Sequence, residues 1–134
     1  MWDLHAIQIQ TVNYLRLSIE VNATPVGSIS SKDTFSLQHA TSEYCSESKA
    51  IAVKVMMLIG YDENGDRLES SEYWMDVVVE GIFSVDESKF PLEKIGTWAE
   101  QNAPLILYPF VREAAFSLSN RVLKDSAAIL PLLT

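Results

Sequence analysis

Two segments of alternating hydrophobicity on either side of an Asn-Gly pair constrain the fold most strongly. Over residues 50–61, one side of an extended chain would carry Ile51, Val53, Val55, Met57, Ile59 and Tyr61. Over residues 67–80, one side would carry Tyr73, Met75, Val77 and Val79, and the other Trp74, Asp76, Val78 and Glu80. A period of two is typical of β-strands, and the Asn64-Gly65 pair readily takes the positive φ angles of a hairpin turn. The sequence therefore predicts an antiparallel hairpin.

Two further strands are predicted before this hairpin. Residues 12–21 alternate in the same way, with one face formed by Leu15, Leu17, Ile19 and Val21 and the other by Tyr14, Arg16, Ser18 and Glu20. Residues 22–33 are rich in turn-forming residues, which indicates a long connection. A short second strand is predicted over residues 34–40.

The last third of the chain has helical spacing. We expect residues 81–84 to leave the sheet and Asp86 or Ser88 to cap a first helix over residues 91–101. A second helix is predicted over residues 104–123, with Pro104 in its first turn and Pro109 kinking it or delaying its regular start. The sequence thus predicts a single α+β domain over residues 1–134, with a four-stranded antiparallel sheet followed by two helices.

The charge of the chain excludes some classes of partner. The 134 residues include 18 acidic and 10 basic side chains, a net charge of −8. Such a surface repels phosphate backbones and anionic lipids, so a basic or mixed polypeptide is the better partner. No apolar stretch approaches the roughly 20 residues that cross a bilayer, and the first residues lack the pattern of a signal peptide. We therefore expect no nucleic-acid binding, no membrane insertion and a cytoplasmic location.

The sequence offers no catalytic, cofactor or metal motif. Cys45 is the only cysteine, so an intramolecular disulfide is excluded, and a packed or exposed thiol is the simplest interpretation. His5 and His39 stand in no recognisable motif. Asp62, Glu63 and Asp66 do not follow the spacing of a calcium loop and are expected to form a solvated turn. The chain is therefore not expected to be an enzyme or to hold a cofactor.

Two segments resemble the SecB family of bacterial protein-export chaperones. Residues 80–85 contain Gly81, Ile82 and Phe83, similar to the family's GIF motif. Residues 102–113 keep the family's order of Pro, aliphatic, aromatic, Pro, aromatic, small, Arg and Glu, through Pro104, Tyr108, Pro109, Arg112 and Glu113. The family's Cys and Asn in this run are replaced by Ala103 and Leu105. The resemblance covers roughly residues 80–122, and the order of elements predicted from periodicity agrees with the family's fold.

The resemblance implies a chaperone that holds unfolded polypeptides without ATP, including preproteins for export. It also implies a homo-oligomer, a dimer or tetramer, in which sheets pair across one interface and the helix after the GIF motif packs across the other. That helix would contribute Leu92, Ile95, Trp98 and Ala99, unless these residues cover their own sheet. A client groove between the long connection and the last helix would be lined by Val26, Ile29, Phe35, Phe110, Phe116 and Val122.

Other interpretations of the sequence remain open. The chain could be dedicated to one partner, such as an antitoxin, or be a small-ligand-binding domain with a pocket lined by His39, Tyr73 and Trp74. Arg112 and Glu113 are expected to form an ion pair or carbonyl contacts that fix the entry of the helix. In the SecB family, contact with the motor SecA involves a terminal helix and acidic tail that these 134 residues lack, which puts docking onto SecA in doubt.

Overall fold

Four strands form one antiparallel sheet in the order β1-β4-β3-β2, and one long helix packs on it. The computed structural model describes residues 3–27, 34–123 and 129–133. The strands are β1 (Ile7–Val21), β2 (Ser36–Thr41), β3 (Ala50–Ile59) and β4 (Tyr73–Val85). A 3₁₀ turn (Leu92–Lys94) leads into the helix α1 (Ile95–Val122). The α+β class and the four-stranded antiparallel sheet are therefore confirmed.

The central strands β3 and β4 supply most of the core. Their alternation is confirmed, because the buried side chains on the helix-covered face are Ile51, Val53, Val55, Met57, Ile59, Tyr73, Met75, Val77 and Val79. Fully burying a large apolar side chain of this kind stabilises a protein by about 1.5–3 kcal/mol. On the opposite face of β4, Trp74 and Val78 are only half-buried. The sheet thus has one face packed against α1 and one face that no described helix covers.

The predicted turn at Asn64 and Gly65 is confirmed. Gly65 has a φ of +83°, and Asp62 Oδ1 accepts hydrogen bonds from the backbone N–H groups of Asn64 and Asp66. The connection between the paired strands is longer than expected, because β4 begins at residue 73 rather than 67.

The first strand contains irregularities that its sequence does not reveal. The register of the β1–β4 pair shifts between Tyr14 and Arg16, and a second shift lies nearer the start of β1. Consequently Tyr14 lies opposite Val79 while Leu17 lies opposite Val77, and both side chains share the helix-covered face. The prediction that Tyr14 lies on the Arg16 face is wrong, since one extra residue reverses the alternation of a strand.

The GIF segment stays inside the sheet. Gly81, Ile82 and Phe83 all pair with β3, and β4 continues to residue 85, so the expectation that residues 81–84 leave the sheet is wrong. Gly81 marks the place where the helix comes closest, because a Cβ atom there would lie 2.6 Å from Cδ2 of Leu107. The glycine therefore serves the contact between helix and sheet rather than the end of the strand.

One continuous helix replaces the two that the sequence predicts. Pro104 and Pro109 both lie within α1, and residues 102–103, where a break was expected, are helical. Each proline removes one backbone hydrogen bond and usually kinks or ends a helix. Here Ala99, Ala103 and Leu107, spaced four residues apart, are fully buried against the core. Packing of this ridge on the sheet outweighs the local preference for a break.

The helix also begins later than expected. Asp86 Oδ1 accepts hydrogen bonds from the backbone N–H and the hydroxyl of Ser88, which closes a turn. The first regular helical residue is Ile95, and the residue before it, Lys94, makes no capping hydrogen bond with its side chain. Because Trp98 contacts Phe83 and Leu107 lies over Gly81, α1 runs antiparallel to β4.

Candidate interaction surfaces

The outer edge of β1 is an apolar surface without a partner. β1 is the first strand of the sheet, and no described strand pairs with its outer side. Its exposed apolar side chains are Ile9, Tyr14, Leu15, Leu17 and Val21. Partial burial raises the pKa of Tyr14, and the carboxylate of Glu113 on α1 adds to this effect. Folded proteins usually shield such an edge with charge or a covering element, so this one is suited to pairing with another chain.

The opposite edge of the sheet has a different character. β2 has only six residues, and its exposed side chains Ser36, Gln38, His39 and Ala40 are polar or small. Of the two edge strands, only β1 carries large apolar side chains that are exposed. The sequence indicates the apolar face of β1 but not its place at the edge, which depends on the order of the strands.

The outward face of α1 carries a second apolar stripe. Leu105, Pro109 and Phe116 are exposed, and their spacing of four and seven residues places them on one side of a helix. We call these three residues the α1 stripe. It borders a charged residue, Glu113, whose carboxylate accepts a hydrogen bond from Ser117 at 2.8 Å.

The predicted oligomer interface divides into two groups. Ile95 and Ala99 are fully buried within the protomer, so they cover their own sheet. Leu92 is 55% exposed, while Trp98 is half-buried, edge-on to Phe83 with 5.8 Å between ring centroids. Of the four predicted residues, only Leu92 and Trp98 thus offer surface to a partner. Within the α1 stripe, the sequence predicts an interaction role for Phe116 alone, as a client contact, and none for Leu105 or Pro109.

The predicted client groove is not assembled as a single surface by the described residues. Val26 is exposed in the connection after β1, where its N–H donates to the carbonyl of Glu69. Phe35 is half-buried and packs against the core, and Ile29 lies outside the described residues. Phe110 is likewise half-buried, whereas Phe116 and Val122 are exposed. Steps of six residues turn a helix by about one and two-thirds turns, so Phe110, Phe116 and Val122 lie on three different sides of α1.

The structure does not form the ligand pocket that the sequence suggested. Tyr73 and Trp74 are neighbours on one strand and point to opposite faces of the sheet, while His39 lies on β2. The structure therefore does not bring these three residues together.

A cavity of about 580 Å³ lies instead between the start of β1 and the first half of α1. Its apolar walls include Phe83, Trp98 and Leu105, and its lining contains no charged residue other than the titratable His5. His5 Nδ1 accepts a hydrogen bond from the N–H of Ile7 at 3.0 Å. Asn102, also in the wall, donates to the carbonyl of Trp98 at 2.9 Å.

Ion pairs lie on the surface of the sheet. Arg16 pairs with Asp76 at 2.8 Å, and Arg67 pairs with Glu20 and stacks over Trp74 at 4.4 Å from the ring centroid. Because these pairs are exposed to solvent, they contribute little to stability.

Arg112 and Glu113 do not form the ion pair that the sequence suggested, because adjacent residues of a helix point in different directions. The Nε atom of Arg112 is buried and finds no hydrogen-bond partner in the described parts of the chain.

Two titratable groups near the β2–β3 connection have shifted pKa values. Desolvation, together with the hydrogen bond from Tyr44 to Glu87 at 2.6 Å, raises the pKa of Tyr44 to about 12. Hydrogen bonding with Ser48 lowers the pKa of the exposed Cys45 thiol. Within residues 3–27, 34–123 and 129–133, no group of His, Cys, Asp and Glu is arranged to hold a metal ion. None of the helical segments described is both long and apolar enough to cross a membrane.

Comparison with solved structures identifies the architecture. No protein-family model matches the chain, and no curated protein matches it. The SecB-like chaperone of Mycobacterium tuberculosis, solved in complex with a ChAD peptide from an antitoxin, matches with a TM-score of 0.65. The match covers 96% of this chain and 91% of that one, at 20% sequence identity. This chain has the SecB-like fold.

The SecB-like fold agrees with the resemblance seen in residues 80–122 of the sequence. A protein of unknown function from Streptococcus agalactiae also matches, with a TM-score of 0.45 and 10% identity. That match covers 94% of this chain and 97% of the other, and at this score the likeness carries no weight. In this chain, β1 and the α1 stripe are apolar surfaces that no described segment covers.

Proposed function

We propose that this chain is an ATP-independent holdase that binds unfolded polypeptides. The observation that supports it most is the amount of large apolar surface left open on the described residues, along β1 and around α1. Unfolded chains expose apolar side chains, and burying each one contributes roughly 1.5–3 kcal/mol before entropy losses. Several weak contacts along one client add together, so the affinity needs no single anchor and no nucleotide.

The structural match supports the same proposal. The Mycobacterium tuberculosis protein is described as a SecB-like chaperone and was solved with a bound peptide. A shared fold that holds a polypeptide in one protein is a reasonable scaffold for the same task here. The net charge of −8 adds a preference for basic or mixed clients over acidic ones.

We propose that the chain forms a homo-oligomer, a dimer or a tetramer. β1 is the edge at which two sheets would pair, since its apolar side chains are exposed while those of β2 are polar or small. Leu105 and Pro109 of the α1 stripe, with Leu92 before the helix and Trp98 in its first turn, would form the second contact, which leaves Phe116 to clients. Burial of both surfaces would remove the exposed apolar side chains of β1 and of the first half of α1 from water.

Client contacts are proposed for the exposed members of the predicted groove. Val26, Phe116 and Val122 retain open surface, and the half-buried Phe35 and Phe110 would join them where a client covers the edge of the core. Phe110, Phe116 and Val122 lie on three different sides of α1, and Val26 and Phe35 lie outside the helix. An extended client would therefore wrap around the protein instead of lying in a single groove.

A dedicated chaperone for one partner is the second candidate. The peptide in the Mycobacterium tuberculosis complex comes from an antitoxin, which favours a specific client of this class. Such a chaperone would bind one disordered segment tightly and generic unfolded chains weakly. If the chain is a holdase, we further propose that it acts in the cytoplasm, that its clients include preproteins for export, and that it delivers them to SecA.

An aggregation assay with a matched pair of variants tests the proposed function. The purified chain should delay the aggregation of a chemically denatured client at stoichiometric amounts without ATP. Val122→Asp should reduce this protection several-fold, while Asn120→Asp, which places the same charge in the same last turn of α1, should not. Because both substitutions lie in the last turn of α1, the helix dipole affects the two added charges similarly. No delay at a large excess of the chain, with tight binding to one antitoxin segment, would favour the dedicated chaperone.

A further inference from the structure

A short apolar segment after α1 returns to the helix and buries one side chain. Leu130 is 5% exposed and belongs to the core cluster, whereas Ile129 is 64% exposed and Leu132 is 79% exposed. Residues 129–133 form neither helix nor strand. An extended segment that lies on a protein surface is expected to bury one side chain and leave the side chains around it exposed, as this segment does.

The backbone of this segment is held by one hydrogen bond to the helix. The hydroxyl of Tyr108 donates to the carbonyl oxygen of Pro131 at 2.7 Å. Tyr108 is itself 4% exposed and lies about four turns before α1 ends, so residues 129–133 contact the middle of the helix. Burial raises the pKa of Tyr108, so its hydroxyl, which any tyrosine keeps protonated at neutral pH, stays a donor in more alkaline solution as well. Every residue has a main-chain carbonyl, so the Tyr108 hydroxyl can form this hydrogen bond with a segment of any sequence.

A second donor lies beside the first. Arg112 is one helical turn beyond Tyr108, and its charge acts on the ionisation of the Tyr108 hydroxyl. The Nε–H of Arg112 is buried and has no acceptor among the residues that the structure describes. A guanidinium can only donate hydrogen bonds, so a partner for this group must bring an acceptor such as a carbonyl or carboxylate oxygen. The helix therefore offers two donors on neighbouring turns, of which one has an acceptor in the described chain.

We propose that the surface around Tyr108, where Leu130 is buried, is a binding site for an extended apolar segment of an unfolded polypeptide. The chain's own residues 129–133 occupy this site until a client displaces them. This inference rests on the proposed holdase function. It specifies where a client binds and which segment of the chain competes with the client. The features by which the segment is held, a leucine side chain and a carbonyl oxygen, occur in any unfolded protein. A tethered segment competes at an effective concentration near the millimolar range, so weak clients are excluded and strong ones enter.

A direct binding experiment tests the proposal. The probe is a fluorescent synthetic peptide with the sequence of residues 129–134, and the readout is fluorescence anisotropy. The chain without residues 129–134 should bind this peptide at least tenfold more tightly than the full chain, in which the site is filled. Leu130→Asp in the full chain should produce the same gain, because it removes the buried anchor. Leu132→Asp, at an exposed position of the same segment, should leave the affinity unchanged.

A second variant keeps the test decisive if the truncated chain is less stable. Tyr108→Phe preserves the ring and removes the donor, and in the truncated chain it should weaken peptide binding several-fold. Equal peptide affinity of the full and truncated chains, or no binding by either folded protein, would overturn the proposed site.

The same proteins separate this inference from the proposed function. If the truncated chain gains affinity for the peptide but neither form delays the aggregation of denatured clients, the site stands and the holdase function fails. If both forms protect clients equally and bind the peptide equally, the holdase function stands and the site at Tyr108 fails.

Discussion

Leu107 of α1 packs directly over Gly81 of β4. A Cβ atom on residue 81 would lie 2.6 Å from Cδ2 of Leu107 and 2.9 Å from Cε2 of Phe83. Both of these side chains are fully buried, so neither can move aside without disturbing the core. The absence of a side chain at this position allows the long helix to lie across the middle of the sheet.

Replacement of this glycine should destabilise the protein. Gly81→Ala is expected to lower the free energy of unfolding by about 1–3 kcal/mol through overpacking. Gly96→Ala is the matched control, because the added Cβ meets nothing within 4 Å and lies in the first turn of α1. The control should raise the free energy of unfolding by about 0.5–1 kcal/mol. Urea denaturation measures both effects, and an unchanged midpoint for Gly81→Ala would contradict the packing described.

The sequence predicts the hairpin of β3 and β4 well because that structure depends on local patterns. Alternation identifies Val53 and Val77 as core residues, and the Asn-Gly pair identifies the turn. The extra residue near Leu15 in β1 leaves no local signal, so the predicted faces of Tyr14 and Leu17 were wrong in relation to each other. The edge position of β1 depends on pairing with β4, about half the chain length away, and is not encoded in any short segment.

In the helical region, local signals are present but predict the wrong structure. Pro104 and Pro109 are strong local signals for a break, but burial of Ala103 and Leu107 on the sheet keeps one helix continuous. This continuity fixes the direction of every later side chain. The predicted groove residues of α1 do not share a side of the helix because their spacing of six residues is not a helical repeat. The family-like motifs indicate the fold, whereas the surfaces depend on packing between distant segments.

Assembly should depend on the apolar face of β1. Leu17 is exposed on the helix-covered side of this strand, and its neighbour Ser18 is exposed on the opposite side. Leu17→Lys should reduce the mass measured by sedimentation, since a charge would be buried at the proposed interface. Ser18→Lys adds the same charge to the same strand and should leave the mass unchanged. A monomeric unaltered protein, or equal effects of the two variants, would contradict the role of β1.

Alkaline pH should release the contribution of Tyr44 to stability. The pKa of Tyr44 is raised to about 12 by desolvation and by its bond to Glu87, so the fold favours the protonated hydroxyl. The stabilisation is complete below the ordinary tyrosine pKa of about 10 and is lost as pH rises through about 12. Tyr44→Phe should remove this part of the pH dependence in chemical denaturation. Ultraviolet titration should show one tyrosine fewer that ionises late, and identical curves for the two proteins would refute the contact.

The most direct measurement compares two states of one client. A protein that stays unfolded when its disulfides are reduced and alkylated is mixed with the chain without nucleotide, and complex formation is followed by sedimentation. The account predicts a stable complex with the unfolded form and none with the native, disulfide-intact form. Binding to neither form, or equal binding to both, would contradict the claim that the exposed apolar surfaces of this protein hold unfolded polypeptides.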